Sequence, residues 1–122
     1  MPDTRRTLGN RGEELASRKL QSLGYTVRER NWRCSAGELD IVAEKDGALV
    51  FIEVRTRRGD RFGTPEESIT PAKRAKLIEV AQAYLEEHNE EDCDWRIDVV
   101  AIEIGAHGEV SRMEIIENAI EE

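Results

Sequence analysis

Asp46-Gly47 lies between two strand-like segments, Gly37-Glu38-Leu39-Asp40-Ile41-Val42 and Val50-Phe51-Ile52-Glu53-Val54-Arg55. That dipeptide suits a two-residue hairpin turn, whose central positions need positive φ angles that Asp and Gly tolerate. With the two residues at the tip, Lys45 faces Ala48 and the numbers of facing residues sum to 93. Asp40 then stands directly opposite Glu53. Two acids facing one another across a ladder repel, and the arrangement calls for a cation. A divalent ion, Mg²⁺ or Mn²⁺, is the natural counter-charge, since hard cations prefer carboxylate oxygen.

The rest of the chain arranges itself around this hairpin. After a short basic tail, residues 9–23 read as a helix ending at Gly24, with Ala16, Leu20 and Leu23 marking its apolar face. Glu13 lies on that same face, while Glu14 points elsewhere and can pair with Arg18 one turn on. A first strand is predicted over Tyr25–Trp32, and the hairpin strands over residues 38–45 and 48–57. In the second hairpin strand Leu49, Phe51, Glu53 and Arg55 share one side, and Val50, Ile52 and Val54 the other. Both sides are largely apolar, which predicts a central strand covered on both faces and a partly buried Glu53. Residues 58–69 form a loop rich in Gly and charge.

Thr70-Pro71 has the form of an N-cap followed by Pro at the first helical position. The helix after it runs to about His88 and buries Leu77, Val80, Ala81, Tyr84 and Leu85. Strands are expected over Arg96–Ile102 and around Val110–Ile115. The order α-β-β-β-α-β-β predicts one α/β domain over residues 1–122, a mixed sheet with helices on both faces. A chain of 122 residues is long enough for one core and too short for two.

The net charge of −8 argues against nucleic acid only as a sum. Residues 1–33 carry +4, 34–53 carry −4, 54–76 carry +4 and 77–122 carry −12. Two basic segments thus flank the acidic pair, so a phosphate backbone can be held locally although long-range attraction is poor. The same charges also suit a merely solvated surface. No apolar run approaches the roughly 20 residues that span a bilayer, and the first residues lack the apolar stretch of a secretory signal. Cys34 and Cys93 stand alone, which fits a reducing compartment. The expectation is a soluble cytoplasmic protein with no membrane partner.

Asp40 and Glu53 can hold a divalent ion, with Glu13 completing an acidic cluster from the first helix. Arg55, two residues past Glu53, projects to the same face. Its pKa is too high for a general base, so its chemical role would be to orient a phosphate and stabilise added negative charge. Each residue has a bland alternative. Arg55 falls opposite Glu38 and reads equally as a cross-strand ion pair. Glu13 reads equally as a structural residue. Lys73 and Arg74, near a helix start, can hold phosphate or solvate the surface. Asp98 interrupts an apolar strand and either meets solvent or bonds a loop. His88 and His107 have no nucleophile or base around them.

The segments Gly9-Asn10-Arg11-Gly12-Glu13, Arg30-Asn31-Trp32-Arg33, Gly37-Glu38-Leu39-Asp40-Ile41-Val42, Phe51-Ile52-Glu53-Val54-Arg55-Thr56-Arg57 and Arg96-Ile97-Asp98-Val99-Val100-Ala101 together resemble the YraN family of small bacterial proteins. That family is similar to the PD-(D/E)xK nuclease superfamily, especially the archaeal Holliday junction resolvases. The resemblance implies a restriction endonuclease-like αβββαβ core with a mixed central sheet flanked by helices. It implies a Mg²⁺- or Mn²⁺-dependent endonuclease acting on DNA, branched or junction DNA included, and a homodimer for a symmetric substrate. The catalytic set it implies is Glu13, Asp40, Glu53 and Arg55. Asp40, Glu53 and the Val54 carbonyl would face the metal. Arg57, Lys73 and Arg74 are this chain's own expected contacts to nucleic acid, read from their charge and position and not from the family. Two positions depart from the superfamily pattern: Leu39 stands where Pro is usual, and Arg55 where the motif has Lys. Arg keeps the charge but cannot give up a proton. A scaffold retained for binding nucleic acid or protein without catalysis is the alternative.

Overall fold

The computed structural model describes residues 4–59 and 63–121. The first three residues of the expected tail, and residues 60–62 of the expected loop, lie outside the described residues. The elements are α1 (Thr4–Ser22), β1 (Thr26–Cys34), β2 (Gly37–Lys45), β3 (Ala48–Arg58), a 3-10 turn (Glu66–Ser68), α2 (Pro71–Glu87), β4 (Trp95–Ile104) and β5 (Val110–Ile120). Among the described residues this is a mixed α/β fold of two helices and a five-stranded sheet ordered β1-β2-β3-β4-β5. Strands β3 and β4 are parallel and the other neighbours antiparallel. The parallel pair needs a long crossover, which α2 supplies.

The Asp46-Gly47 tip sets the hairpin register as expected. Lys45 faces Ala48, Ala43 faces Val50 and Ile41 faces Ile52, with φ at 50° and 83° at the two tip residues. Central β3 then distributes its side chains to two cores by alternation. Val50 and Ile52 pack with Ala16 and Leu20 of α1. Leu49 and Phe51 pack with the α2 stripe Leu77, Val80, Ala81, Tyr84 and Leu85, all buried. Thr70 caps α2 by accepting the Lys73 amide at 3.1 Å, and Pro71 occupies the first turn.

Several expectations need correction. Helix α1 begins at Thr4 rather than residue 9, since Gly9 does not interrupt a helix that has no proline beside it. Leu23 is 45% exposed and not part of the apolar face, because the helix ends at Ser22 and the chain turns through Gly24 at φ 92°. Strand β5 extends to Ile120. Of the two expectations for Asp98, solvent is excluded and a bond to a loop holds, since Tyr25, between α1 and β1, is one of its partners. Asp98 is fully buried, where its Oδ1 accepts from Asn118 N at 2.9 Å and Arg96 Nε at 3.0 Å, and its Oδ2 from Tyr25 Oη at 3.3 Å. The β4–β5 register shifts between Ile97 and Val99, with Asn118 at φ 49°. Asp98 supplies the acceptor that the interrupted ladder leaves out.

Candidate functional site

Beyond Ile41–Ile52 the β2–β3 ladder stops. Strand β2 stays on β1, pairing Leu39 with Trp32 and Glu38 with Arg33. Strand β3 stays on β4, pairing Glu53 with Val99 and continuing to Arg58. The sheet therefore forks at the position where Asp40 and Glu53 would have formed the next ladder pair. Their direct ladder pairing is the part of the register that fails, while the two carboxyl groups stay within hydrogen-bond reach of one another. Asp40 Oδ2 instead accepts the Val54 amide at 2.9 Å, so a side chain replaces the missing backbone acceptor. A strand residue sends its N–H and C=O to the same side, so the Val54 carbonyl also faces the fork.

Glu53 is 7% exposed and Asp40 partly buried. Burial and the neighbouring Asp40 charge push the Glu53 carboxyl well above the ordinary carboxylate range, and a hydrogen bond with Asp40 adds to the rise. Lys73 Nζ, from the first turn of α2, lies 3.8 Å from Glu53 Oε2 and offsets part of it. From α1, Glu13 lines the same fork. Burial and Asp40 raise its pKa, while Asn31 and Arg30 oppose the rise, Arg30 Nη2 lying 3.9 Å from Glu13 Oε1.

The fork opens into a cavity of about 790 Å³, whose lining includes Glu13, Asp40, Glu53, Val54, Arg55, Arg57 and Lys73. Arg74 is the exception among the expected site residues: its Nη1 donates to the Ala119 carbonyl at 3.1 Å, and it lines a separate hollow with Ile69 and Ile116. Arg55 is free of the ion pair with Glu38 that its register had offered, because the ladder ends first. Glu38 binds Arg33 Nε at 3.0 Å. Arg55 Nε is buried and has no hydrogen-bond partner, a donor that an anion in the cavity would satisfy. Helix α1 reaches the fork by close packing at Gly12, where a Cβ would stand 2.0 Å from Thr56 Oγ1.

A three-carboxylate cluster is not formed. Among the described residues no group of three or more His, Cys, Asp or Glu side chains is placed to hold a metal ion. Glu13 is turned to Arg30 and Asn31 instead. The Asp40–Glu53 pair still suits an ion of the Mg²⁺ kind, which takes one or two carboxylates and keeps several waters. Sequence reasoning assigned no role to Asn31, although the register of Arg30 on Ile41 and Trp32 on Leu39 puts it beside Asp40. Its signal was an Asn inside a strand, the residue type that tolerates the positive φ of 56° found there.

No helix of the described residues is long and apolar enough to cross a membrane. Residues 12–102 match the family model described as "Uncharacterised protein family UPF0102". A UPF0102 protein of Roseiflexus castenholzii is 51% identical over 123 residues, covering 100% of this chain and 99% of the relative. One from Desulforamulus reducens is 45% identical over 118 residues, covering 95% and 97%. Another, from Caldicellulosiruptor saccharolyticus, is 41% identical over 115 residues, covering 94% and 98%. The chain belongs to UPF0102, the YraN-like family of small bacterial proteins.

Proposed function

We propose that the fork between β2 and β3 is the hydrolytic centre of a metal-dependent, restriction endonuclease-like protein that cuts phosphodiesters in DNA. The observation carrying this reading is the convergence of Asp40 and buried Glu53 where their ladder breaks, beside the unpartnered Nε of Arg55. Asp40 and Glu53, with the Val54 carbonyl, hold Mg²⁺ or Mn²⁺. Such an ion, when bound, acidifies water and neutralises phosphate charge. Arg55 orients the scissile phosphate and, being permanently charged, stabilises the extra negative charge of the transition state. Glu13 supports Asp40 from the α1 side, and Arg57 and Lys73 take neighbouring phosphates. Branched DNA is the substrate class that the resolvase resemblance favours, and two chains per symmetric junction the expected unit.

Cleavage of a panel of branched and linear DNAs with Mn²⁺ tests this, with wild type and Asp40→Asn purified side by side. The expected result is cleavage by wild type, strongest on branched forms and lost in the variant. Equal cleavage by both proteins would reveal a contaminant and remove the assignment. A second reading, a scaffold that binds DNA or protein without cutting, draws on Arg55 at the position where the motif has Lys. It requires binding that Asp40→Asn and Glu53→Gln leave unchanged.

A further inference from the structure

Lys73 reads from the sequence as a phosphate contact or a solvated surface residue, and its ammonium lies 3.8 Å from Glu53 Oε2. Its backbone is fixed there. Lys73 N donates to Thr70 Oγ1 at 3.1 Å, Arg74 N to the Thr70 carbonyl at 2.9 Å, and Ile69 just before the cap is buried in the α2-side core. The side chain, by contrast, is loosely held. At 3.8 Å its contact with Glu53 is an ion pair without hydrogen-bond distance. The Lys73 side chain is 38% exposed, against 8% for that of Glu53. An ammonium on a flexible four-carbon stem can therefore leave the pair for water or for a phosphate without uncovering the core. Arg55 is unlike it, since its Nε is itself buried.

We propose that Lys73 is a tethered counter-ion of the Asp40–Glu53 pair, and that a divalent cation must displace it to load the site. The inference rests on the proposed function and adds a control point to it. In the resting chain the pair is partly neutralised by the protein's own cation. A divalent ion brings twice the charge and approaches carboxylate oxygen at about 2.0–2.6 Å, far closer than the ammonium, so it wins the competition at a reduced apparent affinity. The displaced ammonium then lies in the same cavity as Arg55 and Arg57, available to a backbone phosphate. Substrate and metal would thus favour one another, because each draws one partner out of the Lys73–Glu53 pair.

The test is Mn²⁺ binding to the full chain without DNA, followed by the electron paramagnetic resonance signal of free Mn²⁺. Wild type is compared with Lys73→Met, Lys73→Gln, Lys73→Arg and Asp40→Asn, with circular dichroism melts confirming that each variant is folded. Loss of the competitor is expected to tighten Mn²⁺ binding about three- to tenfold in Lys73→Met and Lys73→Gln, a modest gain because the pair is partly solvated. Lys73→Arg should bind like wild type, and added KCl should narrow the gap. Equal or weaker binding by both neutral variants, with wild type still binding, would overturn the role of Lys73 alone. Wild type titrating like Asp40→Asn would remove the cation site itself, and this proposal with it.

Discussion

Glu53 is buried beside a second carboxylate. Its folded pKa rises from an ordinary 4.5 to about 8, through burial first and the Asp40 charge second. Folding therefore favours its protonated form. That contribution is fully present below about pH 4.5 and is lost as pH rises toward about 8. Glu53→Gln cannot ionise, so without divalent ions its Tm should depend less on pH across this window and exceed that of wild type at pH 8. Parallel melting curves for the two proteins would show that Glu53 feels no such environment. The acidic pair itself was legible in the sequence because one dipeptide sets the hairpin register. The fork was not, since pair counting assumes a ladder that continues and says nothing of where a side chain takes over from the backbone, as Asp40 does at the Val54 amide. The same limit explains Arg55, whose ion pair with Glu38 exists only in the unbroken ladder.

Among the elements, α1 and β5 are placed by contacts that periodicity does not reveal. Gly12 lets α1 lie against β3, with Thr56 filling the space a Cβ would take. Gly12→Ala should destabilise by about 1–3 kcal/mol in urea unfolding, the usual range for overpacking, and Thr56→Ala in the same chain should recover part of the loss. Additive losses would mean that the two residues do not meet. Asp98 holds the β4–β5 bulge through Arg96, Tyr25 and the Asn118 amide. Asp98→Ala strips a buried acceptor from three donors and should cost about 3–5 kcal/mol, the range for breaking a buried charged network. A loss under 1 kcal/mol would contradict that role. Apolar spacing was enough to mark the α2 stripe, because Leu77, Val80, Ala81, Tyr84 and Leu85 recur at helical intervals. An isolated Asp in an apolar strand carries no spacing signal, and two of its three partners, Tyr25 and Asn118, come from distant parts of the chain.

Across the whole molecule, the element order α-β-β-β-α-β-β was readable because turn residues and caps punctuate it: Gly24, Asp46-Gly47, and Thr70-Pro71. What that order does is bring three separate segments to one fork, with Glu13 from α1, the two acids from the hairpin and Lys73 from the start of α2. The convergence reflects tertiary packing of the helices on opposite faces, which no single segment encodes. It also makes room for the proposed phosphate ligand on an acidic chain, since Arg55, Arg57 and Lys73 are gathered locally while most negative charge lies beyond residue 76. Asp40 and Glu53 are proposed to form a divalent cation site. Its most direct test is thermal melting of wild type and Asp40→Asn at pH 8, each with and without Mn²⁺. Without metal, Asp40→Asn should melt higher, because removing one carboxylate relieves the repulsion. At Mn²⁺ about a hundredfold above Kd, wild type alone should gain roughly 10 °C by ligand linkage. Identical melting of the two proteins in both conditions would contradict the claim.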